Sequence, residues 1–144
     1  MNTGYVLDAA LLEAFAQGSN VVANVLASFD AAAVRLAVPT LALAVAESTL
    51  SAEQMTLLSA VVANMPTIAR DPLDTLDQVG ALAHTLAWLP ATAGVTAVSA
   101  AHVATVAKRL GWWVLTVDRA SWDDILPTLP WPLEIVELAE PPNA

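Results

Sequence analysis

The chain has 144 residues, no cysteine, and a hydrophobic share of 57% against a charged share of 13%. That is material for one well-filled core, and it excludes disulfides and thiolate metal sites. Fourteen acids against five bases give a net charge of −9 with no polybasic tract, which disfavours nonspecific binding to a phosphate backbone.

Gly4 to Leu7 reads as a short apolar strand, and Asp8 as the cap of a helix through Phe15 that Gly18 and Ser19 stop. A second helix follows from Asn20 to about Ala33. Arg35 to Val38 is a buried strand ended by Pro39. Thr40 to Leu50 is helical and apolar on nearly every side, and Ser51 opens another helix toward Asn64. Thr67 to Ala69 is a short strand or extended chain. Thr75 to about Leu89 is helical, and Pro90 to Gly94 reads as a loop. Ser99 caps a helix to Leu110, which Gly111 ends. Trp112 to Val117 is strongly β-forming, Asp118 caps a short helix to Leu126, and Leu133 to Leu138 is a last strand.

Strands separated by helices predict an α/β domain with a mostly parallel central sheet. One domain over residues 1–139 is expected, followed by a frayed tail at 140–144. The N-terminus has no basic region and does not read as a signal peptide. Gln78 to Ala107 contains no Asp, Glu, Lys or Arg, but Gly80, His84, Pro90, Gly94, Ser99 and His102 interrupt it. A spanning helix needs about 20 predominantly apolar residues, so no membrane segment is expected. The absence of Cys is compatible with a reducing cytoplasm, the expected location. An apolar content this high also suggests a surface patch used for self-association.

Four segments end an apolar run on one polar residue: Tyr5-Val6-Leu7-Asp8, Ala44-Val45-Ala46-Glu47, Thr96-Ala97-Val98-Ser99 and Leu115-Thr116-Val117-Asp118. In open parallel sheets ligands gather outside the carboxyl ends of the strands, where Asp8 and Asp118 are expected. Convergence of all four would build an acidic pocket suited to Mg²⁺ or Mn²⁺. Asp8, Ser99 and Asp118 each have a plainer reading as helix N-caps, contributing about 1 kcal/mol. Glu47 sits in an apolar helix, where an unpaired carboxylate costs several kcal/mol unless something meets it. A dication, Arg35, Arg70 or Arg119, or simply water would serve. Ser99 can cap a helix but supplies no negative charge. His102, one turn later, offers a nitrogen ligand or packs as a hydrogen-bonded surface residue. Asp71, Asp74 and Asp77 read as a solvated helix start. Trp113 and Trp122 read as core, while Trp88, Trp112 and Trp131 are either core or an apolar dimer patch.

Together these segments resemble the PIN domain family, in particular small single-domain toxins of the VapC type, from Val6 to about Leu138. Val6-Leu7-Asp8-Ala9 resembles the opening strand and first acid. Val38-Pro39-Thr40 through Ala46-Glu47 resembles the second strand and the helix carrying the second acid. Ser99-Ala-Ala-His-Val-Ala104 is similar to an Asp-Ala-x-His-x-Ala helix start with Asp replaced by Ser. Leu115-Thr116-Val117-Asp118-Arg119 is similar to a Thr-x-Asp-Arg ending.

The resemblance implies a three-layer α/β fold and a metal-dependent ribonuclease, in which acids hold Mg²⁺ or Mn²⁺ to activate water against a phosphodiester of RNA. By match, Asp8, Glu47 and Asp118 are the metal ligands, Thr116 hydrogen-bonds within the acid cluster, and Ser99 stands at a former acid position. A homodimer and an antitoxin covering the site are also implied. With Ser99 in place, the expectation is weakened catalysis. The alternative is a catalytically inactive PIN-like protein-interaction module. Only Lys108, Arg109 and Arg119 lie near the expected pocket rim in sequence, a thin surface for RNA.

Overall fold

The structure is a computed structural model that describes residues 3–90 and 94–139. Five short strands, β1 (Gly4–Leu7), β2 (Arg35–Pro39), β3 (Ile68–Asp71), β4 (Trp113–Thr116) and β5 (Ile135–Glu137), form one sheet in the order β3-β2-β1-β4-β5. Every pairing is parallel, with Val6 opposite both Ala37 and Val114. Parallel sheets are covered on both faces and their strands read as continuous apolar runs. Leu36, Ala37 and Val38 of β2 and Val114 and Leu115 of β4 are buried accordingly.

Among the described residues, six α-helices connect and cover these strands: α1 (Ala9–Ala16), α2 (Asn20–Ala31), α3 (Thr40–Glu47), α4 (Ala52–Asn64), α5 (Leu76–Leu86) and α6 (Val95–Leu110). The chain steps outward from β1 to β3, then crosses back through α5 and α6 to β4. Right-handed crossovers therefore set α6 on the face opposite the helices of the first half. α6 packs on β1, β2 and β4. Tyr5 of β1 stacks on Phe29 of α2, with ring centroids 4.9 Å apart. The expected fold class holds: α/β, three layers, with the sheet parallel throughout.

Two glycines are demanded by this geometry. A Cβ on Gly4 would lie 2.7 Å from the Arg35 carbonyl and 2.8 Å from the Trp112 ring, so only glycine allows β1 and β2 to meet there. Gly111 takes φ 69° and ends α6, its amide and that of Trp112 both donating to the Ala107 carbonyl.

Two expectations about helix starts are corrected. α6 begins at Val95, with Gly94 at its cap, so Ser99 lies in the second turn rather than at the N-cap. The β-branched run Val95-Thr-Ala-Val98 is helical because Ser99, His102, Val103 and Val106 recur at helical spacing and bury one face. Asp118 precedes a single 3₁₀ turn, Arg119–Trp122, and makes no side-chain cap bond. The expected Pro90–Gly94 loop falls largely on residues 91–93, and the tail on residues 140–144; both lie outside the described residues. Among the described residues, no helix is long and apolar enough to cross a membrane.

Candidate functional site

The strand order reverses between β1 and β4. In a sheet of this kind the crevice outside those two carboxyl ends is the natural ligand position. Asp8 follows β1 and Asp118 follows β4, so the topology brings both acids to this crevice. A cavity of about 400 Å³ opens there. Asp8, Glu13, Ser99, Asp118, Ser121 and Trp122 contribute its polar lining. Val45, Val95, Val103 and Ile125 contribute its walls.

Asp8 is the centre of the site. It is 5% exposed. Its Oδ1 accepts the Leu11 amide at 2.9 Å, capping α1 as the sequence suggests. Its Oδ2 accepts the indole N–H of Trp122 at 3.0 Å across 114 residues of sequence. Burial pushes the Asp8 carboxyl above its ordinary value. Hydrogen bonds from the Thr116 hydroxyl, the Leu11 amide and the Trp122 indole oppose that shift, and the nearby negative charge of Asp118 adds to it. Thr116 is fully buried, and its Oγ1 also accepts the Asp118 amide at 3.1 Å. Thr116 thus joins the Asp8 carboxylate to the backbone of Asp118.

The other two expected positions differ from that plan. Ser99 does line the cavity, but its hydroxyl donates back to the Thr96 carbonyl of its own helix at 2.8 Å. Glu47 is half-buried at the end of α3, and its Oε1 accepts the Ser59 hydroxyl of α4 at 2.9 Å. The α3 residue that lines the cavity is Val45. Two residues along a helix is a rotation of about 200°, so Glu47 and Val45 point to nearly opposite sides. Among the described residues, none of Arg35, Arg70 or Arg119 pairs with Glu47, which keeps a hydrogen bond from the neutral Ser59 hydroxyl. Among the described residues, no three His, Asp or Glu side chains form a group able to hold a metal ion.

His102 is buried and hydrogen-bonded, one of its two expected readings, but it is no surface residue and it serves a different place. Its Nδ1 accepts the Leu41 amide at 3.3 Å. That amide lies in the first turn of α3, where Pro39 offers no side-chain cap. The opposite nitrogen, Nε2, lies 3.9 Å from Asp71, which also pairs with Arg109. Asp71 ends β3 and is partly buried, rather than belonging to a solvated face. Burial pushes the His102 imidazole below its ordinary value; Asp71 acts to raise it and Arg109 to lower it further. This group lines a separate cavity of about 250 Å³ between α5 and α6.

The expected bases also lie elsewhere. Lys108 sits over the Trp131 ring at 4.2 Å, and Arg119 donates to the Ile135 carbonyl at 2.8 Å. Neither they nor Arg109 lines the cavity of Asp8. Trp122 is core as expected, at 1% exposure, whereas Trp113 is 41% exposed. The Trp122 bond to Asp8 had one sequence signal, an indole four residues beyond Asp118 that must find an acceptor when buried. No protein-family model and no curated protein matches the chain.

Proposed function

We propose that this chain is a protein-interaction domain built on a PIN-like architecture, with a pocket that has given up metal-dependent RNA cleavage and instead receives a basic side chain of a partner protein. One observation carries the reading. The cavity wall offers three carboxylates, Asp8, Glu13 and Asp118, whereas α3 contributes Val45 and α6 contributes Ser99.

Such a set does not fit Mg²⁺ or Mn²⁺. Mg²⁺ demands near-octahedral oxygen coordination, usually anchored by carboxylates that are free to bind. Asp8 is committed to Leu11 and Trp122, and Ser99 is bonded to its own helix. The charge balance argues the same way, because a chain of net charge −9 repels RNA. A cationic partner is attracted instead. Glu13 and Asp118 would meet its charged head, and Val45, Val103 and Ile125 would cover the aliphatic stem of a Lys or Arg.

Mn²⁺ calorimetry at neutral pH tests the reading. The expected result is no binding at millimolar Mn²⁺, with binding gained in a Val45→Glu/Ser99→Asp variant. Binding by the unaltered chain that Asp8→Asn abolishes would overturn it and favour a working metal-dependent ribonuclease, the reading that the Thr116-linked pair of acids supports.

A further inference from the structure

The cavity between α5 and α6 holds a donor that the chain leaves unused. His102 is 1% exposed. Its Nδ1 accepts the Leu41 amide, so in the neutral imidazole the proton sits on Nε2. That N–H faces Asp71 Oδ1 across 3.9 Å, too far for a hydrogen bond. Among the described residues no other group accepts it. A buried donor without an acceptor weakens a fold, and an acceptor arriving from outside repairs the loss. The same tautomer argues against a metal on Nε2, because a ligating nitrogen must offer a lone pair and here the proton occupies it.

The groups around this donor fall into two sets. Arg109 gives one N–H to Asp71 Oδ2, and its half-exposed guanidinium carries further N–H groups. With His102 it makes a donor side. Asp71 and the exposed Asp77 make an acceptor side. Leu73, Ala81 and Val106 add an apolar wall. The cavity, about 250 Å³, suits a small metabolite, and an apolar wall with a few convergent polar groups is the usual make-up of such a site. Donor and acceptor sides are adjacent, so a ligand that satisfies both must carry an acceptor and a donor on neighbouring atoms.

We propose that this cavity binds a free α-amino acid with a small aliphatic side chain. The ligand's carboxylate accepts the His102 Nε2–H and the Arg109 fork. Its ammonium donates to Asp71 and Asp77, and its side chain lies on Leu73, Ala81 and Val106. A simple carboxylate would meet the donors but be repelled by both acids. A simple amine would satisfy the acids and leave the His102 N–H unmet. In a peptide the α-ammonium and α-carboxylate belong to opposite ends, so a chain end meets one side of the cavity alone. This cavity shares no lining residue with that of Asp8, and the proposal stands apart from the function assigned there.

Calorimetry of the full chain with L-leucine reads the proposal. A dissociation constant below about 1 mM is expected. Isovalerate, which lacks the amine, and isopentylamine, which lacks the carboxylate, should each bind at least about tenfold more weakly. Arg109→Gln and Asp77→Asn alter exposed side chains, and each should weaken leucine binding by at least about tenfold with unchanged circular dichroism. In ¹⁵N NMR the His102 Nε2 resonance should move on addition of leucine, while His84, the chain's other histidine, stays put. No heat and no His102 shift at about 10 mM leucine would overturn the proposal. So would isovalerate or isopentylamine binding as tightly as leucine, or leucine binding indifferent to both variants.

Discussion

Two polar clusters lie at carboxyl ends of this sheet, and they solve the burial of a titratable group in opposite ways. At the end of β1, Asp8 is held by an amide, a hydroxyl and an indole, with another acid as its nearest charge. At the end of β3, Asp71 is answered by the Arg109 guanidinium and faces His102. Among the described residues the first cluster has hydrogen bonds but no counter-charge, and it opens on a cavity. The second is nearly neutralised within the chain, and its histidine serves as a surrogate cap for α3. An unbalanced cluster at the switch point is a place to bind something positive, whereas a balanced one holds elements together.

Trp122→Ala should break the first cluster most severely. It removes a 1%-exposed indole together with the Asp8 contact, and a loss of about 3–5 kcal/mol is expected in urea unfolding. Asp8→Ala removes the α1 cap, about 1 kcal/mol, and strands the Trp122 N–H, roughly 1–3 kcal/mol more. Arg109→Ala should be mildest. The Arg109 side chain is 51% exposed, so the pair with Asp71 is worth at most about 1 kcal/mol, measurable as a small shift in the urea midpoint.

The comparison also has a pH signature. The His102 imidazole is lowered in the folded chain from its ordinary 6.5. As pH falls through 6.5 the unfolded chain takes up the proton first, so stability is lost between 6.5 and the lower folded value. Protonation of Nδ1 would also turn the acceptor of the Leu41 amide into a second donor. Asp8 works in the other direction. Its carboxyl is raised from 3.8, so the folded chain binds the proton first, and stability recovers as pH falls from the raised value toward 3.8. Below pH 6.5 the urea midpoint should therefore carry a falling contribution from His102 and a rising one from Asp8. A His102→Leu variant should lose the falling contribution and keep the rising one.

Much of the architecture was legible because apolar runs punctuated by Asp8, Pro39, Ser51 and Gly111 are local signals. They located β1, β2, β4 and most helix ends within a few residues. The acids at the strand ends followed from topology. Glu47 misled because a helix with apolar residues on nearly every side gives no phase, so nothing in the sequence says which way its one acid points. Val45, the side chain that does face the cavity, carries no polar signal at all. Ser99 looked like a cap because Thr96-Ala97-Val98 can be strand or helix, and only packing on the sheet decides. Asp71, His102 and Arg109 come from two elements far apart in sequence, and no local pattern joins them.

The order of the sheet has a consequence for how the chain acquires its pocket. β1 is the central strand, yet its neighbour on the pocket side is β4, with Tyr5 paired to Trp113. The contact from Asp8 to Trp122 spans 114 residues. During synthesis β1 and β2 can pair early, while one edge of β1 and the Asp8 carboxylate wait for nearly the whole chain. Sheets built on such distant pairings close slowly and leave strand edges open meanwhile. The pocket therefore cannot close until the chain has been made as far as Ile125 and β4 has paired with β1.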